Sequence, residues 1–405
     1  MTAQPHDNQT ALHGLKVVEC ATVIAAPLAG RLMADFGAEV IHVEHPEKGD
    51  HLRQFGFTVD GVNPWWKYYA RNKKLVTLNI SKPDGRDILF RLLKDADVFI
   101  ENFRPGRLEA WGIDPDTLAQ INPRLIVVRL TGFGQTGPYS PQPGFGTLIE
   151  AMSGFAEMTG EPDGPPTLPQ FALADSFAGF YATAAVMFAI YSRDVLGTGK
   201  GQVIDVSLWE SLLGMLGPNA LIHQVTGEST TRIGNRTASS APRNIYKTKD
   251  ERWVALSSST QTTAARLFGV MGQPELIDDP RFNSNMNRVK NVDELDDIVG
   301  GWIGAHTRDE ITDQLRAHDV PIGPVFDIAD IMQDPHAQAR DMVVETDQDS
   351  GTPLRMEGVF PKMSDTPGSV RHAGKDMGAD NNEIYRERLG ISKDELAALS
   401  EAGVV

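Results

Sequence analysis

One carboxylate sits in unusual company. Asp175 lies in FALADSFAGFYATAAV, between apolar residues, and it opens the uncharged run Ser176–Ser192. Such an aspartate has two compatible readings. It caps the N-terminus of the helix that follows, or it acts as a nucleophile or acid–base group beside that N-terminus. The stretches before it, GFGQTGPYSPQPGFG and TGEPDGPPTLPQ, are rich in Gly and Pro and read as loops.

Positive charge is concentrated in the first half, although the chain is acidic overall. Lys+Arg number 38 against 54 Asp+Glu, a formal net of −16. That balance argues against general binding to nucleic acid or to an anionic membrane. Yet RNKK (71–74), Lys48, Lys82, Arg104, Arg107 and Arg124 all fall near expected strand ends. They form either a solvated face or a pocket for a polyphosphate. No GxGxxG or GxxxxGK[ST] occurs, and the loop ATVIAAPLAG (21–30) has one glycine. A helix N-terminus at that loop can still receive an anion.

Other chemistries find little support. No HxxxH, HExxH or DxDxDG spacing appears, and His42 and His45 fall on opposite sides of an expected strand. A metal is therefore not expected. There is no GxSxG elbow. The single cysteine, Cys20, excludes an intrachain disulfide and a CxxC site, and it reads as packing. The N-terminus MTAQPHDNQTALHG lacks an apolar h-region, so no secretory signal is expected and the location is read as cytoplasmic. Ser176–Ser192 reaches the lower limit for a spanning helix, about 17 residues. Its many small residues favour a buried core helix instead.

The elements that position these groups alternate. LKVVE (15–19), AEVIHVE (38–44), LVTLNI (75–80), DVFIENF (97–103) and RLIVVRLTGFG (124–134) read as strands. LAGRLMADFGA and, after Pro83, GRDILFRLLKDA read as helices between them. The order predicts an α/β fold with a doubly wound parallel sheet and ligands at the strand carboxyl ends. TLIEAMSGFAEM reads as one helix, and VIDVSLWESLLGML as a strand plus helix. Residues 222–244 read as a linker or loop. IYKTKDERWVALSS then reads as a hairpin turning at Lys249-Asp250, followed by amphipathic helices up to DVPIGPVFDI.

These residues together resemble the class III CoA-transferase family, which includes formyl-CoA transferase and is related to α-methylacyl-CoA racemase. The matching stretches include LHGLKVVE, AAPLAGRLMADFGAEVIHVEHPEKGD, ARNKKLVTLNISKPDGRDILFRLLKDADVFIENFRPGRLEAWGI, INPRLIVVRLTGFGQTGPY, LADSFAGFYATAAVMFAI, GTGKGQVIDVSLWESLL and DVPIGPV. The resemblance implies a large Rossmann-like CoA-binding domain from 1–221, a smaller inserted α+β domain over 222–328, and a return to the large domain over 329–405. It also implies an interlocked homodimer, with a heteromer of paralogous subunits as the alternative.

By the same resemblance, Asp175 is the nucleophile. Val23, Ile24 and Ala25, then Leu78, Asn79 and Ser81, then Asn102, Phe103 and Arg104 contact CoA. Lys48, or His45, replaces a phosphate-binding arginine whose place Pro46 takes. The implied reaction moves CoA from an acyl-CoA donor, plausibly succinyl-CoA, to a carboxylic or dicarboxylic acid. It runs through a mixed anhydride and an aspartyl-CoA thioester, because only a carboxylate nucleophile makes an anhydride. Backbone N–H donors from Gly/Pro-rich loops suit its oxyanions. Coenzyme A enters as the acyl-CoA cosubstrate, and neither metal nor redox cofactor is expected.

The chain also departs from the family pattern. Racemases of this group place a histidine 30 residues before the aspartate, where this chain has Phe145. A racemase or epimerase is thus the lesser reading. Ala238-Ser239-Ser240-Ala241-Pro242 stands where formyl-CoA transferases carry a glycine run, and Ile24 replaces a glutamine. Both argue against formyl-CoA as donor. Arg53 or Arg243 is a candidate clamp for a second carboxylate. Trp65, Trp66, Tyr68 and Tyr69 read either as an acyl pocket or as packing.

Overall fold

The computed structural model describes residues 10–346 and 353–405. These fall into two compact units. One takes the chain up to Phe155, then Leu168–Leu221 and Ala339–Val405, and the other takes Ala156–Thr167 and Ile222–Gln338. The second unit thus gathers a short segment from the Gly/Pro-rich stretch, and the chain returns to the first at Ala339 rather than at 329.

In the first unit, six described strands form one sheet: β1 (Lys16–Cys20), β2 (Glu39–Glu44), β3 (Lys74–Thr77), β4 (Val98–Glu101), β5 (Ile126–Thr131) and β6 (Val203–Ser207). Their order is β3-β2-β1-β4-β5-β6. Every pairing is parallel. The apolar runs explain this, because a parallel sheet is covered on both faces. Val17, Val40, Ile126 and Val128 enter one core and Val18, Ile41, Phe99 and Val127 the other. The strand order reverses between β1 and β4, which opens a crevice at their carboxyl ends.

The unit's helices include α1 (Ala25–Asp35), α2 (Pro64–Tyr69), α3 (Pro83–Leu93), α4 (Arg107–Ala110), α5 (Pro115–Ile121), α6 (Gly146–Met152), α7 (Leu173–Ile190) and α8 (Leu208–Met215). α1 and α7 share one core with the sheet through Ala26, Ala29, Met33, Ala174, Ala178 and Ala182. The small side chains let them cross closely. A Cβ on Gly179 would fall 2.8 Å from the Ala25 carbonyl oxygen.

Several expectations need correction. β3 ends at Thr77, not Ile80. Beyond it the Asn79 N–H bonds the Val404 carbonyl, and the Asn79 carboxamide accepts from the Ser81 hydroxyl at 2.6 Å, which turns the chain away. α6 stops at Met152, just before Gly154 at φ +94°. Residues 222–226 are helical, as part of Asn219–Thr226. The apolar helix is not buried all round. Leu173–Val195 is long and apolar enough to span a membrane, and only 33% of that window is buried. Its small stripe faces the core, while Phe180, Phe188 and Tyr191 are exposed.

The C-terminal segment closes the open edge of β3. Asp380 accepts from Leu75 N–H at 2.7 Å, Asn381 accepts from Thr77 N–H at 2.9 Å, and the Tyr385 hydroxyl donates to the Thr77 carbonyl. An otherwise unpaired edge strand is thereby satisfied.

The second unit is built on a three-stranded antiparallel sheet, Arg243–Lys247, Trp253–Ser257 and Ile322–Pro324. Helices Gln261–Val270, Val292–Ile303 and Arg308–Arg316 cover it through Leu267, Phe268, Leu295, Val299 and Ile311.

Candidate active site

The crevice holds a cavity of about 230 Å3. Three loops and one helix line it: Thr22–Ala25 after β1, Asn102–Pro105 after β4, Gly132–Phe145 in part after β5, and Asp175 in the first turn of α7. Val23, Ile24, Ala25, Asn102, Phe103, Arg104 and Asp175 therefore meet in one place.

Asp175 is not the cap of its helix. Glu150 of α6 does that work: its Oε1 accepts from the N–H of Leu173 at 3.0 Å and of Ala174 at 3.3 Å. The Asp175 carboxylate is thus left to the cavity. Burial pushes its pKa up to about 6, and the nearby Glu150 carboxylate adds to the rise. Above that pH it is a poorly solvated anion, which is the form a nucleophile needs. Gly146 makes room for it, since a Cβ there would lie 2.2 Å from Asp175 Oδ2.

The flanking loops are tied down by side chains. Asn102 accepts from the Thr22 N–H at 3.0 Å and donates to the Thr22 carbonyl at 2.8 Å. Its carboxamide therefore braces the neighbouring loop. Glu101, buried at the end of β4, accepts from Phe103 N–H at 2.7 Å and from Arg129 Nε at 2.7 Å. Burial pushes Glu101 up to about 7 even with Arg129 beside it. Arg104 is exposed and makes no ion pair among the described residues, so its guanidinium is open to a ligand anion. Phe103 packs edge-on against Trp111.

The remaining expected contacts lie outside this cavity. Leu78 is buried in the sheet's second core. Asn79 and Ser81 bond each other in the turn after β3. Lys48 is exposed in the loop after β2; burial lowers the pKa of His45, and the Lys48 and Lys82 charges lower it further. These groups still lie at the carboxyl edge of the same sheet, just after β2 and β3. Arg53 is no free clamp: it grips Glu44 through two bonds of 2.6 and 2.7 Å and stacks over Trp66. Arg243, in the second unit, donates to the carbonyls of Asn235 and Arg236. Trp66 and Tyr69 are buried against Ile24 and Leu28, with Trp65 and Tyr68 beside them, which is packing.

Three contributors were not legible in the sequence. Glu150 lies 25 positions from Asp175 (175 − 150) and looks like any helical glutamate. Thr131 lines the cavity with a buried hydroxyl that has no partner among the described residues. Gly146 stands out only once the aspartate beside it is placed. The described residues contain no cluster of three or more His, Cys, Asp or Glu able to hold a metal.

The model of CoA-transferase family III matches residues 12–381. The chain is 39% identical over 396 residues to succinyl-CoA–D-citramalate CoA-transferase of Chloroflexus aurantiacus, covering 97% of this chain and 98% of that one. It is 39% identical over 398 residues to the beta subunit of succinyl-CoA–L-malate CoA-transferase from the same organism, with the same coverage of 97% and 98%. Among solved structures it is similar to a CAIB/BAIF family protein from Brucella suis, with a TM-score of 0.82 and 34% identity over 94% of this chain and 99% of that one.

Proposed function

This chain belongs to CoA-transferase family III, and on that premise we propose that it moves CoA from succinyl-CoA to a dicarboxylic acid through intermediates on Asp175. The observation that carries the reading is the placement of Asp175. A destabilised carboxylate faces the same cavity as the loops expected to hold CoA.

The steps balance as acyl transfers between oxygen and sulfur. The Asp175 carboxylate attacks the succinyl thioester carbonyl, forming a mixed anhydride and releasing CoA thiolate. The thiolate attacks the aspartyl carbonyl, and succinate leaves. The acceptor carboxylate attacks the resulting aspartyl-CoA thioester and again releases the thiolate. That thiolate takes the acceptor's acyl group and frees Asp175. Burial raises the energy of the resting carboxylate relative to the neutral anhydride, which speeds the first attack. Val23–Ala25 and Asn102–Arg104 hold CoA from two sides, with Arg104 and Lys48 offering cations to its phosphates.

The relatives act on D-citramalate and L-malate, by their names. Both are hydroxylated dicarboxylates, so the acceptor proposed here is of that class. A coupled assay with succinyl-CoA and a panel of mono- and dicarboxylic acids tests this. Transfer to monocarboxylates alone would overturn it. Phe145 has no proton to exchange, so nothing at the cavity favours the racemase reading.

A pH profile follows from Asp175. Its ionised form attacks, so kcat/KM for succinyl-CoA is expected to fall as pH drops through about 6. Glu150→Gln keeps a capping oxygen but removes the like charge, so the fall should move to lower pH. An unmoved or upward-shifted profile would contradict this coupling.

The exposed Phe180 and Phe188 on α7, with Tyr191 just past its end, support a dimer, as an apolar surface of this kind favours association. A second copy is proposed as the partner, with a paralogous chain as the alternative because one relative is a beta subunit. Light scattering that gives a single-chain mass would contradict both.

A further inference from the structure

We propose that Asp50 is a positioning residue for the reaction: its carboxylate holds the Val23 backbone in a left-handed turn and so sets the cavity face of the first turn of α1. This rests on the reading that the Val23–Ala25 loop binds the acyl-CoA.

The anomaly is Val23 itself. Its φ is +71°, in the region that glycine favours. A β-branched residue is strained there and stays only where its surroundings over-determine it. Asp50 supplies the constraint. It is 1% exposed, and both its oxygens accept from the Val23 N–H, at 3.0 and 3.3 Å. Oδ1 also accepts from Leu52 N–H at 2.8 Å.

Asp50 is in turn held by a buried chain of charges. Its own N–H donates to Glu44 Oε2 at 3.0 Å, and Arg53 fixes that carboxylate. His42 Nε2 stands 3.6 Å from Asp50 Oδ2 with no hydrogen-bond partner of its own. The other ring nitrogen of His42 meets Glu19 at 2.5 Å. Lys73 binds both Glu19 oxygens, at 2.8 and 3.0 Å, and donates to the Pro27 carbonyl at 2.8 Å. One buried network therefore grips the segment at both ends, at Val23 N–H before α1 and at Pro27 C=O in its first turn.

The placement gives this grip a purpose. Asn102 holds Thr22 on the other side. Ile24 and Ala25 are left between the clamps, both lining the cavity with Asp175. First-turn N–H groups have no earlier helical carbonyl to bond. Their direction is fixed by the Val23 turn. Releasing that turn to negative φ would swing them away from the cavity.

The test is a double-mutant cycle on kcat/KM for succinyl-CoA, with circular dichroism and thermal melts checking the fold. Asp50→Asn is nearly isosteric but loses the anionic acceptor. It is expected to lower kcat/KM by about 10- to 100-fold, the scale of a sub-ångström to ångström misplacement. Glycine adopts φ > 0 without strain. In the Val23→Gly background the same Asp50→Asn change should therefore lower kcat/KM only about 3-fold or less, since the turn no longer needs the clamp. An equal loss in both backgrounds would overturn the proposal and leave Asp50 a merely structural residue. If Asp50→Asn does not fold, Asp50→Ser enters the same cycle.

Hydroxylamine trapping at Asp175 separates the two readings. A wild-type protein that turns over without label on Asp175 defeats the catalytic assignment. Normal labelling of wild type and of folded Asp50→Asn, at equal rates, defeats only the positioning role.

Discussion

Asp175→Ala is expected to abolish CoA transfer while CoA binding survives. Removing a covalent nucleophile lowers turnover by about 10^4-fold or more, because no neighbouring group takes over the bond. Glu150 is a neighbouring carboxylate whose charge acts on Asp175, but its Oε1 is engaged by the α7 N-terminus. The CoA loops do not depend on Asp175. Thr22 is braced by Asn102, Val23 by Asp50 and Phe103 by Glu101. The dissociation constant for CoA, measured by calorimetry, should therefore change by no more than a few-fold. Asp175→Asn should behave alike, since an amide forms no anhydride. Turnover within about 10-fold of wild type would show that Asp175 is not the nucleophile.

Gly146→Ala is expected to cut turnover about 10^2-fold without unfolding the protein. Gly146 opens α6, and its φ is not in the left-handed region. Alanine is the better helix former by about 1 kcal/mol, so local propensity favours the change. The added methyl, however, would sit 2.2 Å from Asp175 Oδ2 and 3.8 Å from Glu150 Oε1. The carboxylate must move aside. A displacement near 1 Å at a reacting atom lowers kcat by about 10^2-fold. Melting temperature should hold or rise while kcat falls. Unchanged kcat would mean that the carboxylate has another productive position.

Much of the fold was legible because the sheet is parallel. Its strands carry short β-branched runs, such as Val17-Val18 within Lys16–Cys20 and Ile126-Val127-Val128 within Ile126–Thr131, separated by helices of clear period. The ends were less legible. LVTLNI reads as strand to Ile80, but Asn79 and Ser81 form a turn held by the C-terminal segment. That is a contact over more than 300 positions, from Asn79 to Val404, which no local pattern carries.

The candidate site divides in the same way. Asp175 stood out as a lone carboxylate in apolar surroundings, and the resemblance pointed to the loops at Val23–Ala25 and Asn102–Arg104. What escaped were the groups that act through others. Nothing local marks Glu150 as the cap of a helix 23 residues on, from 150 to 173. Arg53 looked like a ligand clamp because it is a cation near a loop, yet Glu44 on β2 claims it. Asp50 gave no signal either, since the strain that it offsets is a backbone angle at Val23.

The most direct measurement is to trap the enzyme during turnover. Incubation with succinyl-CoA, then hydroxylamine, then peptide mapping by mass should place a hydroxamate on the Asp175 side chain. Label in the Asp175 peptide, absent from Asp175→Asn, is the result expected of an aspartyl anhydride or thioester. Steady CoA transfer with Asp175 unlabelled, or with the label on another residue, would contradict the central claim.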